Sequence, residues 1–235
     1  MNSIVKKYEN IKSLVSNSNV KIIAVSKTFT YEYIKPLVDY GHEHFGENKV
    51  QEALNKWTKV KSERKNLKLL LILNLIPTRV LVIKKVKPNI KLHMIGKLQS
   101  NKAKEAVNLF DYIHSVDNQK LASLLAKYEG NISKKLNYFL QVNIGNESQK
   151  SGIAIKFLDE FYYYCTKELN LNVIGLMAIP PNDGKQSFYF KNLMQLNKLL
   201  GLKELSMGMS EDYQEALKYE ATFVRIGSSI FGSRS

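Results

Sequence analysis

The sequence predicts a single (β/α)8 barrel, and three observations carry that prediction. Short β-branched or apolar runs alternate with longer amphipathic segments along the whole chain, the pattern of βα units around a parallel sheet. The runs number eight within 235 residues, a length that suits this barrel. The competing open, doubly wound sheet lacks its glycine-rich dinucleotide fingerprint, because the first strand here runs on into AVSKTFT.

The strands are expected at Lys21–Ser26, His42–Phe45, Leu92–Ile95, Tyr112–Ser115, Asn137–Asn143, Asn172–Ala178, Glu204–Met207 and Phe223–Ile226. Helices are expected at Tyr31–Tyr40, Glu47–Lys61, Ser100–Leu109, Asn118–Tyr128, Ile155–Leu169, Ser187–Leu200 and Ser210–Tyr219, with an extra one before the first strand. One region breaks the rhythm. Residues 62–91 are leucine-rich, flanked by lysines and split by Pro77, and match neither a period of 2 nor one of 3.6. They read as an insertion within one domain spanning 1–235.

Composition narrows the function. With 44% hydrophobic and 24% charged residues the chain is neither disordered nor fibrous. One cysteine, Cys165, allows no internal disulfide and points to a reducing, cytoplasmic setting. The longest apolar run, Leu69–Ile76, is far short of the ~20 residues of a membrane span, and MNSIVKKYEN is too polar for a signal peptide. The net charge of +14 invites a nucleic-acid partner, but only four of the 35 basic residues are arginines and the lysines are scattered along the chain. A lysine-rich solvated surface accounts for them, and no nucleic-acid partner is expected.

In such a barrel chemistry gathers where strands end and βα loops begin. Those positions hold Ser26–Lys27, Gly46–Asn48, Gly96–Lys97, Val116–Asp117, Asn143, Met177–Ala178, Gly208–Ser210 and Arg225–Ser228. Lys27 follows the apolar run IIAVS, where desolvation favours a nucleophilic free amine, although a lysine there can also snorkel to solvent. LSMGMS and VRIGSSIFG place glycines in the seventh and eighth loops, the usual phosphate site of the fold, with Ser210 able either to cap the next helix or to face an anion. Gly227 and Ser228 offer amides in the same way. Arg225 in an apolar strand needs a partner: a ring nitrogen, an anion, or a buried carboxylate. His93 in LHMIG reads as a satisfied core residue, and no histidine spacing suggests a metal.

Taken in order, IIAVSKT, HFGENKVQEA, LHMIGKLQSNK, HSVD, LQVNIG, GLMAIP and LSMGMSEDYQEAL with ATFVRIGSSIFGSR resemble the pyridoxal phosphate homeostasis proteins, relatives of the N-terminal barrel of alanine racemase. The resemblance runs from about Lys21 to Arg234. It implies a fold-type III barrel that holds pyridoxal 5′-phosphate (PLP) as a Schiff base on Lys27, with Arg225 facing the pyridine nitrogen. Ser210, Gly227 and Ser228 would hold the phosphate, and Asn48, Asn143 and Met177 would line the ring pocket. The implied role is PLP homeostasis in a monomer, with PLP-dependent apo-enzymes as partners and no dedicated turnover. A racemase would need a second proton donor from a further β-rich domain, for which no room is expected after Gly232. A low-activity racemase and a basic nucleic-acid-binding protein are the alternatives. Against the family, the crossover at 62–91 is longer by on the order of 20 residues and is expected to project away from the cofactor face.

Overall fold

The computed structural model describes residues 2–15, 19–58, 60, 89–147 and 149–232. Eight parallel strands close into a barrel in sequence order, with β1 (Lys21–Val25) pairing β8 (Phe223–Ile226) to complete the ring. The others are β2 (His44–Glu47), β3 (Lys91–Met94), β4 (Tyr112–Val116), β5 (Asn137–Gln141), β6 (Val173–Met177) and β7 (Glu204–Met209). The fold class read from the sequence is thus borne out. The insertion at 62–91 lies outside the described residues except for 89–91.

Strand alternation divides the apolar side chains into two cores. Ile23, Val25, Ile95, Phe139, Met177 and Phe223 point inward and fill the barrel. Their neighbours, such as Ile22, Ala24, Phe45, Leu92 and Leu140, point outward and pack beneath the helices. The helices start and stop by local chemistry. Thr30 accepts from the Tyr33 amide at 3.3 Å to open Tyr31–Tyr40, and Gly41 in the left-handed region (φ 109°) closes it. Asn118 accepts from the Leu121 amide at 2.9 Å to open Gln119–Glu129. Among the described residues no helix is long and apolar enough to cross a membrane.

Some element boundaries differ from the sequence reading. The second strand begins two residues late, because the ring of His42 is tied to the Tyr8 hydroxyl and the His44 carbonyl, while Glu47 joins the ladder opposite Met94. Helix therefore begins at residue 50 instead of Glu47. The segment from Ile155 is a 3-10 turn, an α-helix Leu158–Tyr163 and a π turn Tyr164–Glu168. Ser210 does not cap the helix that follows β7: Asp212 occupies the N-cap position, and the helix is only Tyr213–Leu217.

Gly175 in β6 faces the start of β7 so closely that a Cβ would lie 1.8 Å from the Glu204 carbonyl oxygen. Backbone cannot yield as a side-chain tip does. Gly175→Ala is therefore expected to destabilise the protein by about 3 kcal/mol, read from the midpoint of urea unfolding at unchanged slope.

Candidate functional site: a cavity at the strand ends

The C-terminal ends of the strands open into a cavity of about 1190 Å3. Lys27 follows β1, Asn48 follows β2, Gly96 and Lys97 follow β3, and Ser210, Gly227 and Ser228 come from the last two loops; all line it. So does Arg225, whose side chain points inward from β8 and is 4% exposed. Residues on five strand ends thus meet in one space, as the fold predicts for a site.

Lys27 is half-buried and its neighbours are fixed on both sides. Glu47, fully buried at the end of β2, takes three donors on one carboxylate oxygen: Ser26 Oγ at 2.8 Å, Lys56 Nζ at 2.9 Å and Trp57 Nε1 at 2.9 Å. Lys56 also donates to the Ser26 carbonyl at 2.7 Å and pairs with Glu52 at 3.2 Å. Glu52 in turn accepts the amide of Thr28, which sits in the left-handed region at φ 70°. The backbone on either side of Lys27 is thereby clamped to the second βα unit. Burial pushes the Glu47 carboxyl above its ordinary value, and the Lys56 ammonium pulls the other way.

Arg225 donates from Nη1 to the Ser206 carbonyl and hydroxyl, both at 2.8 Å, and from Nη2 to the Ala178 carbonyl at 2.9 Å. Of the partners weighed from the sequence, a buried carboxylate is not the one found among the described residues. Burial lowers its pKa to about 10, with Asp212 opposing. It stays a cation at neutral pH.

Ser210 Oγ accepts the Gly227 amide at 3.2 Å, so the hydroxyl joins the seventh and eighth loops instead of capping a helix. Gly208 precedes it at φ 87°, where a Cβ would lie 2.7 Å from the Ala216 Cβ. Only glycine lets that loop turn back against the following helix.

Two expected ring-pocket residues do not line the cavity. Met177 is fully buried in the barrel core beneath it. Asn143 instead folds a wall: its Oδ1 accepts the Glu147 amide at 3.1 Å and its Nδ2 donates to the Glu147 carbonyl at 2.8 Å. That loop carries Lys150 and Ser151 to the rim, and Gln141 holds it by donating to the Ser151 carbonyl at 3.2 Å. Sequence reasoning placed Glu47 among the strand-end residues but passed over Gln141, Lys56 and the bonds that make Glu47 a hub. A glutamate closing an apolar strand, with a lysine and a tryptophan nine and ten residues on, was the available signal.

Comparison with known proteins fits this geometry. The family model "Alanine racemase, N-terminal domain" matches residues 1–235. The pyridoxal phosphate homeostasis protein of Aquifex aeolicus is 33% identical over 225 residues, covering 91% of this chain and 87% of the relative. That of Vibrio cholerae is 34% identical over 227 residues, covering 93% and 87%. The structure of PipY from Synechococcus elongatus with PLP bound aligns with a TM-score of 0.80 at 30% identity, over 97% of this chain and 100% of that one. An alanine racemase of Clostridium difficile shares the fold (TM-score 0.69) at 13% identity, and this chain covers 57% of it. With the barrel, the strand-end lysine and the buried arginine of one cavity in place, these matches establish that the chain belongs to the pyridoxal phosphate homeostasis proteins, within the alanine racemase N-terminal domain family.

Proposed function

We propose that the chain binds PLP and serves intracellular PLP homeostasis, with Lys27 holding the cofactor as a Schiff base. The observation that carries this is the convergence of three unlike groups on one cavity: an amine at Lys27, a buried cation at Arg225, and the Ser210 hydroxyl, held by the Gly227 amide, beside Ser228. That donor set fits PLP group by group, as an aldehyde, a ring nitrogen and a phosphate. The relatives' names, and PLP in the PipY structure, support the same reading.

When bound, PLP supplies an electrophilic carbon and an electron-withdrawing ring. Arg225, a donor with no acceptor atom, holds a pyridine nitrogen unprotonated, which weakens that withdrawal. The Ser210 hydroxyl, whose oxygen takes the Gly227 amide, keeps its own hydrogen for an anion, and the Ser228 amide adjoins it from the eighth loop. Such a site favours retention over turnover, and this reading extends to a monomer acting in the cytoplasm with PLP-dependent apo-enzymes as recipients. The relatives' names favour neither alternative. Deuterium exchange at the α-carbon of an amino-acid panel would support a racemase, and salt-sensitive binding of random oligonucleotides a nucleic-acid protein.

The test is the visible spectrum of the purified protein after adding PLP, followed by borohydride reduction and peptide mapping. A band bleached by borohydride, with the label on Lys27, is the expected result. Lys27→Ala is expected to lose the band and keep the fold. The same band in Lys27→Ala would reject Lys27, and no band in the wild type would reject PLP binding.

A further inference from the structure

A guanidinium buried to 4% exposure needs compensation for its charge, and Arg225 makes no ion pair with a carboxylate among the described residues. Behind it lies a continuous polar chain through the barrel interior. Ser206 Oγ, which accepts from Arg225, is 2.8 Å from His114 Nδ1. His114 Nε2 is 2.9 Å from His93 Nδ1, and His93 Nε2 is 2.9 Å from His44 Nδ1. The middle rings are held flat by stacking, His93 on Tyr112 and His114 on Phe139, each with centroids 4.3 Å apart. His44 reaches a second cavity, of about 620 Å3, at the opposite end of the barrel beside Lys21 and Glu43.

The donor inventory gives this chain one direction. Arginine can only donate, so Ser206 Oγ accepts from it, and the single hydroxyl hydrogen is then available to His114 Nδ1. An acceptor at Nδ1 puts the His114 proton on Nε2, which makes His93 Nδ1 an acceptor, and the same step repeats to His44. The opposite polarity would leave the Ser206 hydrogen without its place in the chain. In this direction the lone-pair end of every neutral imidazole faces the guanidinium, so their dipoles add in stabilising it. Burial lowers the pKa of all three rings, to about 4 for His44, and keeps them neutral at pH 7.

We propose that Ser206, His114, His93 and His44 form a one-way hydrogen-bond chain that stands in for the counter-ion of Arg225 and aims its guanidinium into the cavity. Ser206 and His114 are its positioning residues. The chain itself is independent of any ligand; its service to a pyridine nitrogen rests on the PLP reading above.

The test uses the full chain labelled with 15N-histidine, whose four histidines are resolved by long-range 1H–15N spectra without ligand. His44, His93 and His114 are expected as neutral Nε2–H tautomers. His42 is an internal reference, because its Nε2 lies 2.8 Å from the His44 carbonyl, which can only accept. Ser206→Ala is expected to release the His114 tautomer into a mixture. In the PLP-loaded protein the same variant is expected to shift the visible band and weaken PLP about tenfold, as loss of one bond to a charged group implies. Ser206→Thr keeps the hydroxyl and is expected to restore both readouts, which a role in filling space would not move. An Nδ1–H tautomer at His93 or His114 in the wild type would overturn the chain, as would Ser206→Ala with unchanged tautomers. The wild-type spectrum decides even if Ser206→Ala does not fold. Nε2–H tautomers without a PLP band would uphold the chain and reject the PLP reading alone; a PLP band with Nδ1–H tautomers would do the reverse.

Discussion

Acidification from about pH 7.5 to about pH 5 is expected to cost the fold on the order of 6 kcal/mol, because three fully buried histidines stay neutral in the native state while the unfolded chain takes up their protons. Burial is the largest cause in each case, lowering His42 to about 3 and holding His93 and His114 well below their ordinary 6.5; nearby His114 and His44 add to it for His93, and Arg225 for His114. The sign follows from the direction. A depressed folded pKa means that the unfolded state binds more protons below pH 6.5, so stability is complete above that value and falls as pH drops through it. Each ring contributes about 2 kcal/mol by pH 5, at 1.36 kcal/mol per unit once the unfolded side chain is mostly protonated. His44, half-buried, adds in the same direction with a smaller weight. Glu47 acts oppositely, since its raised pKa gives stability at low pH that is lost as pH rises, but it is one group against three. The sum is comparable with the whole stability of a typical domain, about 5–15 kcal/mol, so unfolding is expected near pH 5. Urea unfolding across this range checks it, and a flat profile would show that the rings are not neutral and buried together.

Those histidines also mark the limit of the sequence. The strands were legible because period-2 alternation and strand-end glycines are local signals, and Lys27, Ser210, Arg225, Gly227 and Ser228 were legible because the fold fixes which end of each strand faces the cavity. The chain of rings was not, since its members are separated by 49 and 21 residues, and Ser206 lies 92 beyond His114. Nothing in spacing tells that β2, β3, β4 and β7 send these side chains to one line; closure of the barrel and its register do that. Asn143 misled for a related reason. An asparagine at a strand end looks like a ligand contact, yet both ends of its amide bond Glu147 and fold its own loop, the local competition that asparagine offers to any distant partner.

The same logic makes Glu47→Ala the most damaging single substitution expected outside the barrel interior. The change removes the acceptor of three buried donors at once and leaves Lys56, 5% exposed in its side chain, with a weakened anionic partner in Glu52. Breaking a buried pair from one side costs about 3–5 kcal/mol, chiefly through the charge left behind. Glu47→Gln keeps an acceptor for Ser26 and Trp57 and is expected to cost less than half of that. Replacing both partners, Glu47→Leu with Lys56→Met, is expected to recover most of the loss, because the desolvated charge disappears with its counter-charge. The three urea midpoints separate the contributions. Stability alone does not exhaust the role of the hub, since Ser26 and Lys56 hold the backbone that ends in Lys27. The doubly apolar variant keeps the core filled yet loses the Lys56 bond to the Ser26 carbonyl. It is therefore expected to fold near wild-type stability and to bind PLP less tightly, which distinguishes a clamp on the lysine from mere filler.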